Sequence, residues 1–115
     1  MFNVISEARG VGAGVLVRAL EPLDGIDLMQ CSRGTARLID LARGPGRLTE
    51  AMRIDLRQDG VDLCAAGALW LAATAMNTGA IGRSARIGLT RNVDPEWRFY
   101  ERGNPYASGP KRLRN

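Results

Sequence analysis

The chain has 115 residues, 45% of them hydrophobic, 5% aromatic and 24% charged, with a formal net charge of +4 and no histidine. That length suits one small domain, and the apolar content allows a packed core rather than a disordered chain. The missing histidine excludes a Ser-His-Asp triad, a histidine metal site and a histidine general base built from this chain alone.

Cys31 and Cys64 form no CxxC pair. Two thiols without histidine make a poor zinc site, so both read as free thiols, buried or half-buried, in a reduced cytosolic setting. The N-terminus shows no basic segment followed by an apolar run, so no signal peptide is expected. The longest apolar stretch, Leu63 to Met76, is interrupted by Gly67 and Thr74 and falls short of the ~20 residues that cross a bilayer. Charge is unevenly placed: residues 83–115 hold eight basic groups against three acids, and fifteen of the sixteen cations in the chain are arginine. Guanidinium forks match phosphates bidentately, which makes nucleic acid a natural partner. An arginine-favouring codon usage with a solvated tail would give the same composition.

In chain order, Phe2 to Ser6 and Gly14 to Leu20 read as strands joined by a Gly-rich connection, Arg9 to Gly14. The second strand carries Arg18 among aliphatic residues, as an edge strand does, or a strand that delivers a charge to a site. Asp24 is a plausible N-cap for a helix from Ile26 to about Cys31, Ser32-Arg33-Gly34 is a break, and Thr35 to Ala42 has enough apolar positions for a short helix. In "RGPGRLTEAMRI", residues 43–54, Pro45 stands at a first helical position, with Leu48, Ala51 and Met52 spaced as one apolar face. Bare amides at that helix start, beside Arg43 and Arg47, can hold a phosphate; an ordinary helix start with solvated arginines reads the same way.

Arg57 to Gly60 is a polar turn, and Val61–Leu63 and Leu69–Ala73 are short apolar runs, either strands or loop walls. After a turn at Asn77–Gly79, residues 84–90 alternate as a strand with Ala85, Ile87 and Leu89 on one face. Asp94-Pro95 turns the chain into a second alternating strand, residues 97–101, with Trp97 and Phe99 on one face and Arg98 and Tyr100 on the other. Gly103-Asn104-Pro105 turns again, and the basic tail 109–115 is expected to fray. Strands with two or three short helices and no βαβ rhythm indicate an α+β fold on a mainly antiparallel sheet.

Four blocks, "VLVRALEPLDG", "RGPGRLTEAMRI", "RIGLT" and "WRFYERGNPYAS", occur in that order over nearly the whole chain. Together they resemble the 3-methyladenine, or alkylpurine, DNA glycosylases of the type that includes the mammalian enzyme. The resemblance implies a base-excision repair enzyme that flips alkylated or deaminated purines out of duplex DNA, since the glycosidic bond is out of reach within the stack, and hydrolyses that bond with an activated water. It implies a curved antiparallel sheet in a single α+β domain (residues 1–108, followed by the basic tail), no metal and no other cofactor. Duplex DNA is the implied partner, with no membrane, a monomeric state when the domain is complete, and a cytoplasmic, nucleoid-associated setting.

The resemblance covers the family's second half only. The glutamate that activates the water, the wedging tyrosine, and the aromatic and histidine groups that sandwich the base belong to a first half that would precede Met1, and Met1 itself resembles an internal methionine. The implied roles are therefore limited. Arg18 matches the arginine that helps hold the attacking water, Leu89 the position whose carbonyl completes the water's hydrogen bonds, Asn3 the pocket asparagine that disfavours guanine, and Gly46 and Arg47 the helix start that touches the DNA backbone. Plainer roles exist for each: Arg18 pairing with Glu21 or another acid, Asn3 as a strand-edge amide, Leu89 as core. Tyr100, Arg98 and Tyr106 read as structural. The chain alone is expected to be inactive, with a DNA-binding remnant or a structural fragment as the alternatives, and to bare strand edges and an apolar face.

Overall fold

Two antiparallel ladders and two helices carry the chain, which a computed structural model describes over residues 1–74, 76–88 and 95–115. Strand β1, Asn3–Ile5, pairs with β2, Gly14–Leu16, in a register that sets Asn3 opposite Leu16 and Ile5 opposite Gly14. Their connection passes through Gly10 at φ 92°, a conformation that glycine reaches without a Cβ clash. Beyond Leu16 the chain stays extended but changes partner. The Val17 amide still donates to the Phe2 carbonyl, whereas Ala19 bridges Arg43 and the Leu20 amide donates to the Ala42 carbonyl. The strand expected to run from Gly14 to Leu20 is thus divided between two partners.

Helix α1, Ile26–Arg33, ends on Gly34 in the left-handed region, whose amide donates to the Gln30 carbonyl at 2.8 Å. Its N-cap is Gly25 with no side-chain bond, so Asp24 does not play the expected capping role. Helix α2, Pro45–Met52, opens at the expected place, with Pro45 in its first turn. The two helices pack on each other, tied by Arg33, whose guanidinium donates to Glu50 Oε1 (3.0 Å) and to the carbonyls of Leu41 (3.1 Å) and Asp40 (3.3 Å), and by Arg53 Nε donating to Ser32 Oγ (2.9 Å). The helix expected over Thr35–Ala42 shrinks to a 3₁₀ turn at Leu38–Asp40.

The core is small. Phe2, Ala42, Leu48 and Ala51 form it, with Val4, Val17, Met29, Ile54, Leu63 and Leu69 packed around them. Leu41 and Leu48 are fully enclosed. A 3₁₀ turn at Leu56–Gln58 is held by a reciprocal cap between Asp55 and Gln58. From residue 61 to the second ladder, the described residues form neither helix nor strand. Val61–Leu63 and Leu69–Ala73 are loop walls, tied where the Leu71 amide donates to the Leu63 carbonyl at 2.8 Å. Both cysteines are free and both are exposed, which corrects the expectation of buried thiols.

The second ladder pairs β3, Ile81–Ser84, with β4, Arg98–Glu101, setting Gly82 opposite Tyr100 and Ser84 opposite Arg98. The strand expected at 84–90 therefore lies earlier in the chain. It ends at Ser84, and its expected continuation through Leu89 and Thr90 leaves the described residues. The expected α+β, antiparallel class stands, but the single curved sheet is, among the described residues, two separate two-stranded ladders. Replacing Leu48 by Ala should destabilise the chain by about 2–5 kcal/mol, the range for a fully buried leucine, whereas Leu56→Ala, 90% exposed, should stay within about 0.5 kcal/mol. Urea unfolding followed by far-UV circular dichroism checks both.

Candidate functional site

A cleft of about 900 Å³ lies between the two ladders. One wall is Asn3 and residues 14–21; the other is residues 97–101, Asn104 and residues 106–108, with Arg86 and Ile87 closing one side. Asn3 and Arg18, assigned to one site from sequence, thus line one cavity. Arg18 sits at the point where the chain passes from β1 to Arg43. It is half-buried, its Nε is fully enclosed without a hydrogen-bond acceptor, and it forms no ion pair among the described residues. The simple alternative, a surface pair with Glu21, is therefore not what is observed, although Glu21 lines the same cleft.

The far wall is held by Arg98, which is 4% exposed. Its Nη1 donates to Ser84 Oγ (3.0 Å) and to the Leu113 carbonyl (2.8 Å), and its Nη2 donates to the Ser108 carbonyl (2.5 Å). The guanidinium also stacks on Tyr100, 4.4 Å from the ring centre. Burial pulls the Arg98 pKa below the ordinary arginine range. The Tyr100 interaction opposes that shift, and the like charges of Arg18 and Arg114 add to it. Tyr100 in turn covers Gly82, where a Cβ would come within 2.5 Å of the ring, and donates from its hydroxyl to the Asn115 carbonyl at 3.1 Å. With the Gly103 amide donating to the Arg114 carbonyl at 2.6 Å, these contacts dock residues 111–115, which were expected to fray.

Alternation along β4 turns Phe99 outward, 63% exposed, and Trp97, just before the strand, is 61% exposed. Each carries an arginine over its ring, Arg86 over Trp97 and Arg83 over Phe99, both at 5.3 Å. Arg86, Trp97 and Phe99 line the cleft without having been singled out from sequence. The alternating pattern was visible there, but which face is buried depends on Ser84 and the docked tail.

Gly46 and Arg47 lie away from the cleft, in the first turn of α2. The helix's first bond runs from the Leu48 amide to the Gly44 carbonyl at 2.8 Å, so the Gly46 and Arg47 amides have no partner within the helix. The flanking cations are not bare. Asp40 accepts from Arg43 (3.1 Å) and also pairs with Arg37 (3.2 Å) and, more loosely, Arg47 (3.6 Å). Three cations on one carboxylate leave an excess of positive charge at the helix start. Leu89 lies outside the described residues. Among the described residues, no cluster of three or more Cys, Asp or Glu side chains could hold a metal ion, and no helix is long and apolar enough to cross a membrane.

The model of the methylpurine-DNA glycosylase family matches residues 1–105. The chain belongs to that family. Curated relatives agree, each bearing 3-methyladenine DNA glycosylase as a provisional name. One from Mesorhizobium japonicum is 57% identical over 113 residues, covering 98% of this chain and 54% of the relative. One from Paraburkholderia phytofirmans is 44% identical, covering 98% of this chain and 53% of the relative, and one from Prosthecochloris aestuarii is 38% identical over 108 residues. The chain thus spans about half the length of the curated relatives it matches. Arg98→Ala should strip the Ser108 and Leu113 carbonyls of their donor, at ~1–3 kcal/mol for each buried group left unpaired. Hydrogen exchange of the amides in 111–115 should rise toward unprotected rates, and Arg98→Lys should restore part of the protection.

Proposed function

We propose that the chain serves base-excision repair as part of a glycosylase that removes alkylated or deaminated purines from duplex DNA, in a cytoplasmic, nucleoid-associated setting. The observation that carries this reading is the meeting of Asn3 and Arg18 on one cation-lined cleft in a member of the methylpurine-DNA glycosylase family. A flipped nucleotide brings both a base and a sugar phosphate into such a cleft. Asn3, at the start of β1, offers an amide that crowds the exocyclic amine of guanine and so favours damaged purines. Arg18 holds the attacking water and offsets negative charge near the sugar phosphate. The Leu89 carbonyl accepts the water's remaining hydrogen bond. Water adds to the anomeric carbon of the sugar while the departing purine keeps the bonding electron pair. Gly46 and Arg47 hold the DNA backbone through free amides and the surplus positive charge of the α2 start.

The reaction also needs a general base within hydrogen-bond reach of the water. Glu21 and Glu101 line the cleft, but neither pairs with Arg18, and the resemblance assigns this role to a glutamate outside the matched residues. Alone, the chain binds DNA without chemistry.

Incubated with duplexes containing hypoxanthine or ethenoadenine, the chain should produce no alkali-labile breaks above buffer. Placed into the Mesorhizobium relative in exchange for the 113 matched residues, it should support excision, and Arg18→Ala in that chimera should slow single-turnover excision about a hundredfold, the scale of a misplaced reactant. A chimera that folds but excises nothing would sink this reading. DNA affinity of the chain should fall steeply with salt, and Arg47→Ala should reduce the slope of log affinity against log salt by about one, as the loss of one phosphate contact does.

A further inference from the structure

Every acceptor that the buried Arg98 meets is neutral. Ser84 offers a hydroxyl, Ser108 and Leu113 offer carbonyls, and Tyr100 offers the face of its ring. The ion pairs among the described residues belong to Arg33, Arg37, Arg43, Arg47 and Arg57, not to Arg98. An arginine taken out of water is ordinarily paired with a carboxylate. Hydrogen bonds to neutral groups satisfy its donors but leave its charge whole, and a partly desolvated charge acts over a longer range than one in water.

The group in its reach is Arg18. The two arginines line the cleft from opposite walls, and the like charge of Arg18 is among the causes that pull the Arg98 pKa down. Arg18 forms no ion pair among the described residues, and its Nε is enclosed without an acceptor. The far wall holds the neutral acceptors that Arg18 lacks, and Arg98 has taken them. Its own place is fixed, because Tyr100 lies against it, covers Gly82 and donates to the Asn115 carbonyl.

We propose that Arg98 is a positioning residue for the excision reaction and acts through Arg18, an inference that rests on the role given to Arg18 above. Arg98 occupies the acceptors of the far wall and sets an uncompensated positive charge there. Both effects keep the Arg18 guanidinium from crossing the cleft, so its donors stay available to the attacking water and the sugar phosphate. A purely structural Arg98 needs only its hydrogen bonds, whereas this role also needs its charge. Ser84→Asp separates the two. It sets a carboxylate beside Arg98 Nη1, where the serine oxygen now lies at 3.0 Å, and so compensates the charge while Arg98 stays in place.

The test has two readouts. In the chain carrying isotope-labelled arginine, the Nε–Hε resonance of Arg18, assigned through Arg18→Lys, reports whether that group has an acceptor. Arg98→Gln and Ser84→Asp should each shift it downfield, as Arg18 gains a carbonyl or a carboxylate, and Arg98→Lys should leave it in place. In the chimera with the Mesorhizobium relative, Arg98→Gln and Ser84→Asp should each slow single-turnover excision about tenfold. The rate at saturating enzyme, not the duplex affinity, should carry the loss, and Arg98→Lys should recover most of it. Arg98→Gln added to Arg18→Ala should slow excision no further than Arg18→Ala alone, because both act on one group. Where Arg98→Gln loses the circular dichroism of the fold, Ser84→Asp, which keeps the guanidinium, decides. An Arg18 resonance unmoved by Ser84→Asp, a double variant slower than Arg18→Ala, or an Arg98→Lys no faster than Arg98→Gln overturns the proposal. A chimera that excises nothing, or excises at full rate with Arg18→Ala, overturns the role given to Arg18 instead, and the resonance in the chain still shows whether Arg98 holds Arg18 off the far wall.

Discussion

The buried guanidinium of Arg98 is the constraint on which the second half of the molecule depends. An arginine removed from water needs its donors satisfied. Here Ser84 on β3, the Ser108 carbonyl and the Leu113 carbonyl meet that need, with Tyr100 beneath the planar group. One side chain thereby fastens the neighbouring strand, the loop after β4 and the C-terminal turn to a single point. Strand period then does the rest. If Arg98 and Tyr100 face inward, Trp97 and Phe99 must face outward, and the rings that would ordinarily fill a core become part of the cleft.

Charge is handled in two different ways on the two sides of the fold. At the start of α2, Asp40 gathers Arg37, Arg43 and Arg47. Exposed pairs of this kind add little stability, but they set the arginines in order around free backbone amides. In the cleft, among the described residues, no carboxylate performs that service. Arg18 is close enough to Arg98 to disfavour its charge, and the Nε groups of Arg18, Arg86 and Arg114 are enclosed without acceptors. A site with uncompensated, partly desolvated cations is tense by itself and receptive to anything that supplies acceptors. That property suits the proposed handling of a flipped nucleotide, whose phosphate would bring oxygen atoms to these guanidinium groups.

Legibility differed from element to element for physical reasons. The start of α2 could be read because Pro45 is tolerated there and not further in, and the end of α1 because Gly34 takes the left-handed conformation. The pairing of Gly14–Leu20 could not, because an extended segment looks the same whether its partner is β1 or Arg43. The apolar runs at 61–63 and 69–73 had no period long enough to separate strand from loop. Asp24 offered a capping carboxylate, but Gly25 supplied the turn. The tail looked frayed because its polar, basic composition says nothing about the donors of Arg98, Tyr100 and Gly103 that capture its carbonyls.

The sequence by itself determined the α+β class, the helix start at Pro45, the cationic character and the family, since these rest on local spacing, residue type and the order of short blocks. Through the resemblance it also assigned Asn3 and Arg18 to one site, without showing that the two strands bring them to one cavity. Only the tertiary structure decided that they share one cleft, that Arg98 is buried while Trp97 and Phe99 are not, and that the tail is docked. Those outcomes depend on contacts between residues far apart in the chain, and a pattern with period two names two faces without saying which of them meets the rest of the molecule.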